Sequence, residues 1–312
     1  MSLISKFSIY ILLCIIGLSS CKNTQENDLA ITPTKDAHSI ERSNERNLSQ
    51  EFKDYWYAGK AEITSYQLEQ ERYGEIRDGV AVNIFVAEDF LPDTQVKADG
   101  ISEENIPVLK LNNTKKFLTG IYPYSIMTST FSPVNTQEHA IKISHSMQEW
   151  CGHVYMQLNN RAKFDVLSHS YFEGEADTEI SLSKTWLENE LWNLIRINPD
   201  ELPTGEISII PTFEYSRLKH KKIAAYGATA HLKQGDSISI YSLNYPELQR
   251  EMIFYFNSEF PFEIEKWEEI TASRNNDTSR LKTTATKMKR IRSPYWSKNK
   301  NKDLILRDSL NL

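Results

Sequence analysis

Cysteine is scarce in this chain of 312 residues, with three in all. Cys14 and Cys21 fall near the start, so Cys151 stands alone in the rest and finds no partner for an intramolecular disulfide. Equally absent are a Walker loop, a dinucleotide-binding glycine fingerprint, a Gly-x-Ser-x-Gly elbow and a His-Glu-x-x-His helix. Their absence argues against the common nucleotide enzymes and hydrolases, and no motif calls for a cofactor. The one strongly apolar run near the start, Ile9 to Ile16, is too short to span a bilayer as a stable helix. The fold must therefore be held by burial alone. A composition of 40% hydrophobic residues, with 15 Tyr, 13 Phe and 6 Trp, is ample for that.

That apolar run follows Lys6 and precedes the small residues Gly17, Ser19 and Ser20, an arrangement expected of a secretory signal over residues 1–20. Leu18-Ser19-Ser20-Cys21 resembles the lipobox of bacterial lipoproteins, which implies cleavage before Cys21 and lipidation of that residue. An ordinary signal cut at Ser20 and an uncleaved anchor are the alternatives. Residues 21–50 are polar and nearly free of aromatics, so they are expected to form a flexible tether. Such a tether reaches well beyond the Debye length of about 8 Å, lifting the body clear of the headgroup field. The expected location is the cell envelope, on the inner or outer membrane, with the body outside the cytoplasm.

Residues 51–312 are expected to be a single body, because all-β folds of this size commonly remain undivided. Its main pattern is alternation of apolar with polar residues in runs rich in Val, Ile, Thr, Tyr and Phe. Ala81 to Val86, Ile141 to Ser144, Glu206 to Ile210, Ser237 to Tyr241 and Met252 to Phe256 show this two-residue period of half-buried strands. Turn residues fall between runs at Asp78-Gly79, Thr119-Gly120, Asn159-Asn160, Thr204-Gly205 and Gly235-Asp236. One segment departs from the pattern. Trp186, Leu187, Leu191, Leu194 and Ile195 recur at helical spacing, which predicts a helix over 183–197 with Ser183 as N-cap and Pro199 beyond its end. The expected fold is mainly β, with long antiparallel strands forming a curved sheet or partly open barrel and one covering helix.

Residues 271–312 hold 11 Lys or Arg against 3 Asp, in a chain whose net charge is −6. A basic strip of Lys287, Lys289, Arg290 and Arg292 could meet phosphate or acidic lipid. The favoured reading is the wet side of a last strand whose charges blunt a sheet edge. Without interleaved aromatics the strip is no nucleic-acid platform.

The sharpest constellation is Trp150-Cys151-Gly152-His153, followed by His169, Glu173 and Glu175. Across a hairpin, His153 could lower the Cys151 thiol pKa and Glu173 could orient the ring, making a nucleophile. Burial of Cys151 in a crowded bend is the competing expectation, and the stronger one. His145, His153 and His169 are candidate metal ligands only if strand register gathers them. Trp56, Tyr57, Tyr122, Tyr124 and Trp150 are candidates to floor an apolar cavity or stack on sugar rings, or else to pack the sheet. Arg72, Glu75 and Arg77 read as a solvated hairpin tip.

In outline this architecture resembles the half-barrels of LolA/LolB-like carriers. The strings Asp54 to Ile63, Arg72 to Glu75, Gln148 to His153 and Tyr171 to Glu175 resemble an uncharacterised lipoprotein family of the Bacteroidota. Members often bear the label "septum formation inhibitor Maf", which implies a cytoplasmic nucleotide pyrophosphatase. The Maf signature Ser-x-Ser-Pro-Arg-Arg is missing. Its nearest string, Arg292-Ser293-Pro294-Tyr295, lies near the other end and lacks the arginines. The functional expectation is a non-enzymatic binding or carrier module for an apolar ligand or envelope partner, held to the membrane by lipid on Cys21. A cysteine-dependent enzyme and a structural envelope protein are the alternatives.

Overall fold

In the computed structural model, which describes residues 45–272 and 280–312, alternating residues and tight turns fold the chain into a long meander. The expected signal, the lipid site Cys21 and tether residues 21–44 lie outside the described residues. The strands are β1 (Ala61–Arg72), β2 (Glu75–Phe90), β3 (Ile106–Thr119), β4 (Tyr122–Pro133), β5 (Lys142–Glu149), β6 (Gly152–Asn160), β7 (Phe164–Ser170), β8 (Thr178–Leu182) and β9 (Trp186–Leu187). After them come β10 (Gly205–Ile210), β11 (Tyr226–Lys233), β12 (Ile238–Tyr245), β13 (Arg250–Asn257), β14 (Ile264–Ala272) and β15 (Arg280–Ser293). The helices are α1 (Gln50–Trp56), α2 (Glu188–Ile197), α3 (Phe213–Lys219) and α4 (Ile305–Asp308).

All fifteen strands belong to one sheet, ordered β8-β7-β6-β5-β4-β3-β2-β1-β15-β14-β13-β12-β11-β10-β9. Strand β15 pairs antiparallel with β1, joining the two ends of the strand order at the middle of the sheet. Its edges, β8 and β9, are consecutive in sequence and separated only by residues 183–185. The sheet therefore curls until its edges come together. Across that seam Met156, Phe164 and Val166 share one apolar cluster with Leu187, Ile210 and Phe213, so packing rather than a hydrogen-bond ladder holds the two sides. The result is the curved, unclosed sheet expected from the sequence.

Helix α2 follows β9 directly and occupies the concave face. All ten of its residues are buried. Leu191, Trp192, Leu194 and Ile195 enter the main core with Tyr66, Leu111, Ile126 and Tyr241. Trp192 meets Phe254 and Trp267 edge-to-face at 4.8 and 4.9 Å, a favoured aromatic geometry. The helix begins later than its periodicity suggests, because Trp186 and Leu187 pair in parallel with Ile209 and Ile210 before the chain turns helical. Leu187, not Ser183, is its N-cap residue, and Glu190 accepts the Leu187 amide proton at 3.0 Å.

Three further features correct the sequence reading. The body contains more than one covering helix: Phe52 and Trp56 of α1 and Tyr215 and Leu218 of α3 share the core with α2. Both helices have only seven residues, too few to display a helical period. The packed chain also begins before residue 51. Arg46 donates to the Pro133 carbonyl at 2.7 Å and to Glu201, and the Ser49 hydroxyl caps α1 through Phe52 N at 3.1 Å. These ties are polar, so the segment has the composition of a tether.

The first hairpin reverses at Tyr73-Gly74, both with positive φ, rather than at Asp78-Gly79. Gly79 instead lies inside β2, where an added Cβ would sit 2.4 Å from the Lys116 carbonyl oxygen. The glycine serves close approach of two strands. The basic strip is likewise no edge, since β15 is paired on both sides. Its cations face carboxylates: Lys287 meets Glu263 and Glu265 at 3.0 and 2.6 Å, and Arg290 also pairs with Glu263.

Candidate functional site

Antiparallel order brings the β1–β2, β3–β4, β5–β6 and β7–β8 connections to the same end of the sheet. Their tips carry large apolar side chains that no strand covers. Tyr73 is 54% exposed, Ile121 82%, Trp150 68% and Tyr171 71%. Tyr122 lies 6.4 Å from Trp150, bridging two tips. A Cβ on Gly152 would fall 2.5 Å from the Tyr171 ring, so glycine lets the third tip settle against the fourth. Isolated exposed hydrophobics are ordinary, whereas here four stand in a row at one end of the sheet.

Beneath this rim, Tyr124 is buried and stacks on Phe117 with ring centroids 4.8 Å apart. Its hydroxyl meets Tyr73 Oη at 3.0 Å, and burial pushes its pKa up. Arg72 is buried, contrary to the solvated-tip expectation. Its guanidinium lies over the Tyr73 ring at 4.1 Å and donates to the Leu218 carbonyl at 2.6 Å, fastening the first tip to α3. Of the five aromatic candidates, Tyr122 and Trp150 stand at the rim and Tyr124 supports it. Trp56 is buried in the core, and Tyr57 is half exposed beside it, at the opposite end of β1.

Cys151 occupies the β5–β6 turn and is exposed, which overturns the buried-packing expectation. Turn geometry puts it outside the alternation that would have turned it inward. Its amide donates to Glu149 Oε2 at 2.7 Å. Hydrogen bonding and charge from that carboxylate raise the thiol pKa, the reverse of activation. His153 and Glu173 are also exposed, and no hydrogen bond among the described residues joins them to Cys151.

The three candidate metal ligands are separated by strand alternation. His145 pairs across the sheet with Met156 and points inward, fully buried, with Nδ1 2.9 Å from Thr128 Oγ1. Burial, together with the charges of Arg217 and Lys115, pushes its pKa down to about 3. His169 lies across from Tyr155 on the outer face and approaches Asp177 at 3.3 Å, and His153 is exposed. Among the described residues no three His, Cys, Asp or Glu side chains converge as a metal site.

Beside its apolar core the concave interior carries a buried polar network. Glu188 accepts from Arg250 Nη2 at 2.7 Å and from the Tyr245 hydroxyl at 2.6 Å, while Lys115 pairs with Glu214 at 2.7 Å. Between α2 and the sheet remains a cavity of about 30 Å³, lined by the charged Lys115, Glu188 and Arg250 and by the apolar Leu111, Trp192 and Trp267, among others. That space suits one or two waters. A larger cleft of about 360 Å³ lies toward the other end, where Ser132, His139, Trp186, Glu190 and Arg46 meet. Sequence reasoning missed it because its walls come from segments far apart in the chain. Only Trp186 stood out beforehand, and it read as part of a helix face.

No family model matches the chain, and no curated protein does. One solved structure is similar in outline, a beta-barrel-like protein of a domain of unknown function, DUF1849, from Brucella abortus. It has 10% identity and a TM-score of 0.40, and the likeness covers 75% of this chain and 98% of that one. No helix among the described residues is long and apolar enough to cross a membrane.

Proposed function

We propose that this protein is a non-enzymatic binding module of the cell envelope, tethered by lipid on Cys21, that docks a protein partner through its hairpin-tip rim. The observation that carries the reading is the row of exposed Tyr73, Ile121, Trp150 and Tyr171 side chains at one end of the sheet. Aromatic anchors of this kind dominate protein interfaces because they bury much area with few rotatable bonds.

Two features favour docking at the rim over an apolar cargo in the concavity. Helix α2 occupies the concave face with every residue buried, and the cavity left between it and the sheet is only about 30 Å³. A thiol held up by Glu149, without a histidine partner among the described residues, gives a cysteine enzyme little support.

The test is photo-crosslinking in intact cells with a benzoylphenylalanine probe at Ile121, compared with Ile101 in the β2–β3 connection at the far end of the sheet. Both positions are highly exposed, at 82% and 99%. The expected result is a protein adduct of one defined mass from position 121 only, weakened by Trp150→Ala. Equal adducts from both positions, or adducts to lipid alone, would overturn the proposal.

A further inference from the structure

The 360 Å³ cleft lies where β4 ends and the chain crosses to β5, away from the rim. Its size falls within the range of small-molecule sites, about 300–1,000 Å³. Trp186 contributes a half-buried indole, which the His139 ring meets edge-to-face at 5.4 Å, and Leu194 and Ile197 form an apolar wall. Ser132 is 6% exposed and its hydroxyl has no hydrogen-bond partner among the described residues. A buried hydroxyl left unmatched beside an open cleft marks a position where a ligand or water completes the hydrogen bonding.

Apart from the exposed Glu138, the charges lining the cleft are matched among the described residues. Arg46 is engaged by Glu201 at 2.8 Å and by the Pro133 carbonyl. Glu190 accepts from His139 Nδ1 at 2.8 Å, from Ala140 N at 2.7 Å and from Leu187 N at 3.0 Å. Although burial opposes it, the hydrogen bond and charge of Glu190 raise the His139 pKa. The two cationic side chains that line the cleft, Arg46 and His139, are each held by a carboxylate, so a phosphate or carboxylate ligand would compete with Glu201 and Glu190 for them. A neutral, hydroxyl-rich molecule would find an aromatic surface for its C–H face. It would also find a mixed set of donors and acceptors in Ser132, His139, Gln137 and Glu138. From this combination we infer that the cleft binds a neutral saccharide, with Trp186 as the stacking platform and Ser132 and Glu138 as hydroxyl partners.

The inference concerns a separate surface from the docking rim and stands independently of it. It is tested with the full chain in detergent on an array of neutral and anionic oligosaccharides, followed by titration with the best neutral binder. Neutral glycans should be retained and their anionic analogues should not. Trp186→Ala, Ser132→Ala and Glu138→Ala should each weaken binding at least tenfold. Trp186→Phe should recover most of the loss, and Ile101→Ser should have no effect. Equal melting temperatures among the variants separate lost binding from lost folding, and Glu138, being exposed, provides a variant with little bearing on packing. Retention of no neutral glycan, preference for anionic ones, or undiminished binding by all three alanine variants would overturn the inference.

Discussion

Arg196 on α2 and Glu62 on β1 face each other through two parallel hydrogen bonds of 2.6 and 2.7 Å, with each side chain 1% exposed. The pair pins the plugging helix to the strand at the middle of the sheet. Tyr55 adds a hydrogen bond to the same carboxylate, and Arg290 approaches it at 3.6 Å.

Removing one member of this pair leaves the other buried without its main counter-charge. Glu62→Ala or Arg196→Ala should therefore cost about 3–5 kcal/mol of unfolding free energy in denaturant titrations, whereas Glu62→Leu with Arg196→Met should restore most of it. Burial alone would raise the Glu62 pKa, but the Arg196 charge and hydrogen bonds from Arg196 and Tyr55 hold it below the usual carboxylate range. A depressed folded pKa means the contribution is fully present above the unfolded value, about 4.3, and is lost as pH falls through the folded pKa. Single variants as stable as the wild type at pH 7 would refute the role of the pair.

His145 gives a separate pH signature. Neutral in the fold, with a pKa pushed down to about 3, it takes up a proton on unfolding at any pH between that value and about 6.5. Its contribution is complete above pH 6.5 and declines as pH falls, by about 2 kcal/mol between pH 7 and pH 5. His139, whose pKa is raised, acts in the opposite sense: its contribution is present below about pH 6.5 and is lost as pH rises through the folded value. His145→Asn retains a polar group for Thr128, and its denaturation midpoint should change less than the wild type's over this interval. Parallel pH dependence in the two proteins would contradict the assignment.

Cys151 should react sluggishly with a disulfide reagent at neutral pH despite its exposure, since Glu149 disfavours the thiolate. Glu149→Gln should accelerate the reaction severalfold in a rate measurement at pH 7.5. A wild-type thiol that already reacts faster than a free peptide thiol would restore the nucleophile reading.

Local periodicity determined a large part of this protein in advance. A mainly β body, its curved sheet and a helix ending near Ile197 all follow from alternation, turn residues and one run of helical spacing, because those signals act between near neighbours. What only the tertiary structure decided depends on which strands lie side by side. Pairing of β1 with β15 turned an expected edge into a central strand and its basic residues into partners for carboxylates. Inward and outward alternation placed His145 on one face and His169 on the other, dividing a possible metal set. The start of α2 was shifted by a two-residue parallel pairing with β10, whose partner residues lie more than twenty positions away. The rim and the cleft likewise draw on hairpins and loops that meet only after the sheet has curled. No local pattern encodes such meetings, because they are set by strand order and curvature over the whole chain.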